Sequence, residues 1–228
     1  MLETTYSPAS FLASIPDADR DELAALGHRR AWQRGEVLVR AGDAADTAIV
    51  VLAGVAKVHT QTTDGAEVIL NLCGPGDLLG EVTAVRNSQR SATATAIQPV
   101  SAFVLTIPEV RSFLTSHPRA SLALLDLALT RLHRADADRL EFAAADTLGR
   151  VARRLVELAD RFGESRADGA VEIGLAIAQE DIAAWSAASR ESTARALRTL
   201  RQLRLIESHR LRIIVVDIEQ LRLHAARL

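Results

Sequence analysis

The chain has 228 residues, 48% of them hydrophobic and 25% charged, which is enough to bury one large or two modest cores and excludes an intrinsically disordered protein. Its formal net charge of −2 shows no overall basic excess, so charge alone argues against a nucleic-acid binder. No apolar run approaches the ~18–20 residues that span a bilayer, no secretory signal is recognisable, and the one cysteine, Cys73, allows no internal disulfide, so we expect a cytoplasmic protein with no membrane partner.

The first half of the chain predicts a β-rich domain. Residues 16–27, PDADRDELAALG, indicate a short helix that ends at Gly27. After it, short β-like runs alternate with turns such as Asp64-Gly65 up to about residue 107, which is typical of an antiparallel roll or sandwich. The predicted runs are residues 36–40, 47–54, 55–60, 67–72, 92–97 and 100–107.

A long helix is predicted to begin at Pro118. Its leucines are spaced by 3, 4 and 3 residues, the a/d pattern of a coiled-coil seam, and they are Leu122, Leu125, Leu129 and Leu132. The alternative is a helix that packs on its own domain. Asp136 and Arg139 stand where apolar residues would continue the seam, so these side chains need a partner, a neighbouring charge or a ligand.

The last third of the chain predicts a helix-turn-helix followed by a β-hairpin. Residues 149–162 form an amphipathic helix, and the segments AQEDIAAWSA (178–187) and SRESTARALRTLRQLRLI (189–206) predict two closely spaced helices. Two β-runs in IESHRLRIIVVD (206–217) fit a wing. Residues 189–212 contain seven arginines against two acids, so a nearly neutral chain contains a local basic patch.

Two motifs carry a family resemblance. The first is Gly80-Glu81-Val82 followed by Arg90-Ser91-Ala92, and the second is Ser189-Arg190-Glu191 followed by Arg195 and by Leu205-Ile206 before the wing. In this order, joined by a leucine-rich helix, they resemble the cyclic-AMP receptor (Crp–Fnr) family of bacterial transcription regulators over nearly the whole chain.

The resemblance implies an α+β protein with three parts. These are a cyclic-nucleotide-binding β-roll (1–117), a dimerisation helix (118–145) and a C-terminal winged helix-turn-helix that binds DNA (146–228). It further implies an allosteric homodimer that binds a cyclic nucleotide, reads a palindromic TGTGA-like site in double-stranded DNA and has RNA polymerase as a partner.

The residue types suit a cyclic nucleotide. Arg90 can direct two N–H groups at phosphate oxygens, Ser91 adds a hydroxyl, and Glu81 only accepts, as a ribose 2′-hydroxyl requires. Gly80 allows a close approach of backbone and ligand. The alternative is a structural Glu81–Arg90 ion pair. The positions matching the family's ligand contacts are Gly80, Glu81, Val82, Arg90, Ser91, Ala92, Ala135 and Asp136.

The identity of the base stays open. The cyclic-AMP receptor holds the base with a Thr-Ser pair, which falls on Ala135 and Asp136 here. An ionised Asp136 can accept from the adenine amine, but guanine offers two donors on one edge and matches a carboxylate better. Cyclic AMP is favoured as the ligand, with cyclic GMP, another ligand or no ligand as alternatives. Asp136 can instead form an ion pair with Arg139.

The second motif implies DNA contacts. Arginine suits guanine O6 and N7 in the major groove, and glutamate accepts from cytosine N4. The matching positions are Gln179, Ser189, Arg190, Glu191, Arg195 and His209. Three positions depart from the family: Ala178 replaces a capping threonine, and Trp185 and Ala187 replace a smaller aliphatic residue and a glycine, which leaves the turn angle open.

Other classes of protein fit less well. An iron–sulfur sensor needs about four cysteine thiolates, which one cysteine excludes. A haem or redox sensor would have to use Cys73, His59 or His133, which are not spaced as a site. We find no Ser-His-Asp set, metal-ligand spacing or Walker-type loop, so we expect no enzyme and no metal.

Overall fold

The structure is a computed structural model that describes residues 6–81, 89–209 and 212–226, with the backbone alone given for 140–144. The chain forms two compact units. One comprises the residues up to 60 together with 70–133, and the other comprises 61–69 together with the residues from 134 onward. Within the described ranges, no helix combines the length and the apolar character needed to cross a bilayer.

Eight strands lie wholly or mainly in the first unit and form two four-stranded sheets, with strand orders β1-β8-β3-β6 and β2-β7-β4-β5. A single 3₁₀ turn, Leu12–Ser14, precedes helix α1, and helices α2 and α3 follow the last strand. The strands are β1 (His28–Trp32), β2 (Val37–Val39), β3 (Thr47–Ala53), β4 (Ala56–Gln61), β5 (Glu67–Cys73), β6 (Leu78–Leu79), β7 (Thr93–Ala96) and β8 (Val100–Thr106). The helices are α1 (Asp17–Leu26), α2 (Ile107–Ser116) and α3 (Pro118–Ala144).

Strand β3 explains why the sequence TAIVVLA is apolar throughout. Alternate side chains of a strand point to opposite faces. Ala48, Val50 and Leu52 pack into a core that they share with the helices, whereas Ile49 and Val51 pack into a second core between the sheets. Both faces of β3 are therefore buried, so its sequence shows no polar alternation.

The second unit is a helical core with a four-stranded sheet in the order β11-β12-β10-β9. Helix α4 buries Val151, Leu155 and Leu158, and it begins at Asp146, whose carboxylate accepts a hydrogen bond from the Gly149 N–H at 2.8 Å. The elements are α4 (Thr147–Phe162), β9 (Gly163–Ser165), β10 (Val171–Ile173), α5 (Gln179–Trp185), α6 (Arg190–Gln202), β11 (Ile206–His209), β12 (Arg212–Val215) and α7 (Ile218–Ala225).

The predicted fold class is confirmed: a β-roll, a long helix and a winged helix-turn-helix follow one another along the chain. The elements predicted from the sequence do not include the strands β1 and β6 or the helices α2 and α7. Ile107 was predicted to lie in a strand, but it begins α2 because Thr106 and Glu109 form a reciprocal cap there. Strand β1 was missed because four of its five residues are exposed, so it lacks an apolar pattern.

Candidate functional sites

Arg90 is a buried cation held from two sides in the first unit. Arg90 is only 8% exposed. Its backbone N–H donates to the Asp43 carbonyl at 3.0 Å, and its carbonyl accepts from the Gly42 N–H at 2.9 Å. The Nη2 group of its side chain donates to the carbonyl of Thr47 at 2.6 Å and to the Thr47 hydroxyl at 3.0 Å. The guanidinium is thus fixed against the start of β3.

The guanidinium of Arg90 keeps unused donors. Both hydrogen bonds to described residues leave from Nη2, so within that part of the chain Nε and Nη1 have no acceptor. Burial lowers the pKa of Arg90, while the nearby carboxylates of Asp46, Glu81 and Asp43 act in the opposite direction. A buried cation with unused N–H groups is a site prepared for an anion.

Gly80 lies against Arg90. Its φ is +87°, and a Cβ at this position would be 2.5 Å from Nη1 of Arg90 and 3.0 Å from the Thr47 carbonyl. A side chain here would therefore strain the backbone and displace the guanidinium. Besides the predicted close approach of a ligand, Gly80 thus allows the close approach of Arg90.

Glu81 has a partner that the sequence analysis missed. Arg131 on α3 forms an ion pair with Glu81 through Nη1 and donates to the Leu78 carbonyl from Nη2 at 3.3 Å. Glu81 therefore pairs with Arg131 rather than with Arg90, which was the alternative considered from the sequence. Arg131 holds one carboxylate oxygen of Glu81, and no described residue donates a hydrogen bond to the other.

The remaining predicted ligand positions are less constrained. Ser91 is exposed and Ala92 half-buried at the start of β7, next to Arg90. Val82 lies outside the described residues. Ala135 and Asp136 are exposed on α3. Asp136 forms an ion pair of 3.1 Å with Arg139, which was the alternative to a contact with the base. Gly80, Glu81 and Arg90 thus lie close together in the first unit, whereas Ala135 and Asp136 belong to the second unit.

The leucine seam of α3 is largely exposed. Its four leucines are 45–66% exposed, although the same helix buries Ala120 and half-buries Leu127 on its other face. Helix α3 thus packs on its own unit and also presents a second apolar stripe. The members of this exposed stripe are Leu122, Leu125, Leu129 and Leu132.

Helix α6 exposes the predicted base-reading side chains. Its cap is Ser189, whose hydroxyl accepts from the Ser192 N–H at 3.1 Å. Arg190 forms an ion pair of 3.0 Å with Glu180, and Arg195 forms one of 2.6 Å with Glu191. All these pairs are solvent-exposed, so they are weak and can be exchanged for contacts with a ligand.

The two other predicted DNA contacts, Gln179 and His209, are also exposed. Gln179 is exposed at the first turn of α5, and His209 is exposed at the end of β11. Ala178, the N-cap of α5, has no side chain to cap with, and the Asp181 carboxylate accepts its N–H at 3.2 Å. The missing threonine therefore leaves only half of a capping box.

The turn between α5 and α6 contains a strained residue. Ala187 has a φ of +43°, in the left-handed region where a Cβ costs about 1–2 kcal/mol. Ala187→Gly should therefore stabilise the protein by roughly 1 kcal/mol, measured as a higher midpoint of thermal unfolding. Ala188→Gly is the matched control, because Ala188 has no positive φ, and it should lower the midpoint. An Ala187→Gly protein no more stable than the wild type would contradict the strain.

Comparisons with known proteins identify a known domain in each half of the chain. The cyclic nucleotide-binding domain matches residues 29–117, and the Crp-like helix-turn-helix domain matches residues 149–223. A CRP-like cAMP-activated global transcriptional regulator of Mycobacterium tuberculosis is 30% identical over 83% of this chain and 84% of that protein. The chain belongs to the Crp–Fnr family of bacterial transcription regulators. It is therefore a DNA-binding regulator with a cyclic nucleotide-binding domain, from a family of regulators and not of enzymes.

Solved structures of Crp–Fnr regulators share the fold. FixK2 from Bradyrhizobium japonicum superimposes with a TM-score of 0.77 at 18% identity, covering 89% of this chain and 98% of that one. The c-di-GMP-responsive global regulator CLP of Xanthomonas campestris has a TM-score of 0.77 at 19% identity, covering 89% and 100%. At these identities the likeness concerns the fold alone.

Proposed function

We propose that this Crp–Fnr protein is a homodimeric regulator whose binding to a palindromic TGTGA-like DNA site is controlled by a cyclic nucleotide, cyclic AMP in the first place. The proposed nucleotide ligand rests on one observation about Arg90. This residue is a buried cation, and its Nε and Nη1 have no acceptor within the described part of the chain. A phosphate anion can accept from these unused N–H groups and neutralises the buried charge.

The neighbours of Arg90 fit the rest of a nucleotide. Glu81, oriented by Arg131, accepts the ribose 2′-hydroxyl, and Ser91 and Ala92 supply a hydroxyl and backbone N–H groups to the phosphate. A ligand held in this way keeps the Glu81–Arg131 pair and adds to it. Because Arg131 lies on α3, it connects the ribose site to the helix that carries the leucine seam.

The exposed seam supports the homodimer. Four leucines at coiled-coil spacing, each about half exposed, are more than a surface helix of a monomer usually shows. Two copies joined along α3 would present two α6 helices to successive major grooves, about 34 Å apart on DNA. We retain the boundaries 1–117, 118–145 and 146–228 for the three parts, the cytoplasm as location, and RNA polymerase as a further partner.

Cyclic GMP is the second candidate, and Asp136 is the observation that favours it. The carboxylate is 56% exposed and, among the described side chains, is held only by Arg139, so it is available to the N1–H and N2–H₂ edge of guanine. The ligand acts on DNA binding only through different affinities for two arrangements of the DNA-binding domain, and we place the hinge near Asp146–Gly149, where α4 begins.

Asp136→Thr tests the assignment of the base. We expect the ratio of cyclic-AMP to cyclic-GMP affinity to rise by roughly five-fold, because threonine no longer offers guanine two acceptors. Calorimetric titration of both nucleotides measures the ratio. Asp126→Thr, an equally exposed change earlier on α3, is the control and should leave the ratio unaltered. If the ratio stays constant in Asp136→Thr, Asp136 serves only as the partner of Arg139.

The proposed function as a whole is tested on the unmodified protein. Calorimetry with cyclic AMP and cyclic GMP is combined with binding to palindromic and scrambled duplexes, with and without nucleotide, and with sedimentation of the free protein. We expect micromolar-or-tighter nucleotide binding, a dimer, and preference for the palindrome. Equal affinity for both duplexes in every condition would refute specific reading, while equal affinity with and without nucleotide would refute only the control by ligand.

A further inference from the structure

Thr47 binds Arg90 at the nitrogen that every two-bond contact of this side chain has to use. The carbonyl and the hydroxyl of Thr47 accept hydrogen bonds at 2.6 and 3.0 Å, and both bonds come from Nη2. A planar guanidinium offers two edges to a phosphate, one formed by Nε and Nη2 and the other by Nη1 and Nη2. Because Nη2 belongs to both edges, an anion that forms two parallel bonds with Arg90 meets the oxygens of Thr47 at the donor it needs.

The acceptors around the guanidinium of Arg90 are unevenly distributed. Nη2 has two acceptors, whereas Nε and Nη1 have none among the described residues. Gly80 lies beside Nη1, since a Cβ on Gly80 would be 2.5 Å from that atom. Among the described residues, Thr47 is therefore the partner that satisfies this buried side chain in the ligand-free protein.

The two oxygens of Thr47 differ in how easily they can leave Arg90. The carbonyl belongs to the first residue of β3, which pairs with Thr106 of β8, so the sheet fixes its position. The hydroxyl moves by rotation about one side-chain bond. The backbone of Arg90 is fixed by its hydrogen bonds to Asp43 and Gly42. An arriving anion can thus displace the hydroxyl while Arg90 keeps its bond to the carbonyl.

Charge favours the exchange of the hydroxyl for a phosphate oxygen. The hydroxyl of Thr47 is neutral, so it accepts from Arg90 without neutralising the cation. A phosphate brings a full negative charge to the same donor, and the attraction between two opposite charges is stronger in a buried site than in water. The exchange therefore releases free energy, but the bond to the hydroxyl has to be broken first, which reduces the gain.

We infer that the Thr47 hydroxyl occupies the place of a phosphate oxygen on Arg90 in the ligand-free protein and competes with the nucleotide for Nη2. The inference rests on the proposed binding of a cyclic nucleotide at Arg90. Thr47 stabilises the ligand-free state more than the bound state, so its hydroxyl lowers the affinity for nucleotide. It thereby raises the nucleotide concentration at which the regulator responds. Thr47 is a positioning residue that acts through Arg90.

Thr47→Val tests the competition, because it removes the hydroxyl and keeps the carbonyl and the branched shape of the side chain. The ligand-free variant loses one hydrogen bond of a buried cation, whereas in the nucleotide-bound protein that bond is already broken. We therefore expect the affinity for cyclic AMP to rise roughly three- to tenfold. Calorimetric titration of the full-length protein measures the change, with cyclic GMP titrated in parallel.

A second measurement separates competition from a purely structural role of Thr47. In Thr47→Val the midpoint of thermal unfolding should fall without nucleotide and should stay close to the wild-type value at saturating nucleotide. The rise of the midpoint caused by the ligand should therefore be larger than in the wild type. A residue that only supports the fold would lower both midpoints equally and would leave the affinity unchanged.

Thr95→Val is the matched control. Thr95 is also a half-buried strand threonine of the first unit, and its hydroxyl forms a hydrogen bond of 3.0 Å with Nε2 of His59. This variant should lose stability and keep the wild-type affinity. Thr47→Ser keeps the hydroxyl and should bind nucleotide like the wild type. Thr47→Ala lacks the hydroxyl and should show the gain in affinity even if Thr47→Val does not fold.

The outcomes separate the inference from the function on which it rests. A wild type that binds neither cyclic AMP nor cyclic GMP would refute both. A wild type that binds nucleotide, with folded Thr47→Val and Thr47→Ala proteins that bind it equally or more weakly, would overturn the competition alone. Weaker binding would then mean that the hydroxyl orients Arg90 for the phosphate. An equal gain in Thr95→Val would overturn the competition as well, because any loosened strand would then raise the affinity.

Discussion

Replacing Arg90 by leucine should lower the affinity for the cyclic nucleotide by about 2–5 kcal/mol, the cost of truncating a buried charge pair. The phosphate would lose a bidentate donor and would face an apolar side chain in a buried site. Because the site still has Glu81 and Ser91, weak binding through the ribose and hydroxyl contacts should remain. Calorimetric titration of the variant measures the change in affinity.

The same Arg90→Leu change should leave the ligand-free protein as stable as the wild type or make it more stable. Arg90 is a buried cation, and burial lowers its pKa, so the charged form is desolvated without a bound anion. Arg90→Leu removes that penalty together with two hydrogen bonds to Thr47. We therefore expect an unfolding midpoint at or above that of the wild type without nucleotide, and no rise of the midpoint when nucleotide is added.

Two further variants separate charge from geometry. Arg90→Lys keeps a cation but cannot direct two parallel N–H groups at the phosphate, so its affinity should lie between those of the wild type and Arg90→Leu. Arg29→Leu removes an exposed arginine of the same unit and should leave nucleotide affinity unchanged. A folded Arg90→Leu protein that binds cyclic AMP as tightly as the wild type would disprove the phosphate assignment.

What the sequence predicted well follows from local patterns. The runs around β3 and β8 are apolar because both faces of these strands are buried, and the Ser189 cap and the arginines of α6 stand in a helical pattern that a single sequence displays. The buried position of Arg90 was not visible, since an arginine after Asn-Ser-Gln has the composition of a surface loop.

What the sequence could not predict depends on contacts between distant positions. Arg131 is 50 residues from Glu81 and looks like an ordinary solvated charge beside the leucine seam. Arg154 and Asp138 sit in amphipathic helices where charges are expected on the outside, yet Arg154 is buried. Only the folded chain shows that Arg131 contacts Glu81 and that Arg154 contacts the end of α5.

Replacing Arg190 by alanine should weaken binding to the TGTGA-like palindrome by roughly 1–3 kcal/mol per half-site and relax discrimination at one guanine. In the free protein the Arg190 side chain is 77% exposed and pairs with Glu180 at 3.0 Å. An exposed ion pair contributes at most about 1 kcal/mol, so exchanging it for a bidentate contact with guanine is favourable. Binding to duplexes that vary each base of the half-site measures the loss.

Two variants distinguish reading of a base from attraction to phosphate. Arg212 is 46% exposed on β12 and paired with Glu172, and we propose it as a phosphate contact of the wing. Arg210, which we expect to act in the same way, lies outside the described residues. Arg212→Ala should weaken binding to all DNA sequences alike and reduce the dependence of the affinity on salt concentration. Glu180→Ala frees Arg190 of its partner and should leave the preferred sequence unchanged while raising affinity slightly. If Arg190→Ala loses affinity equally for palindromic and scrambled duplexes, Arg190 contacts the backbone, and the base-reading role fails.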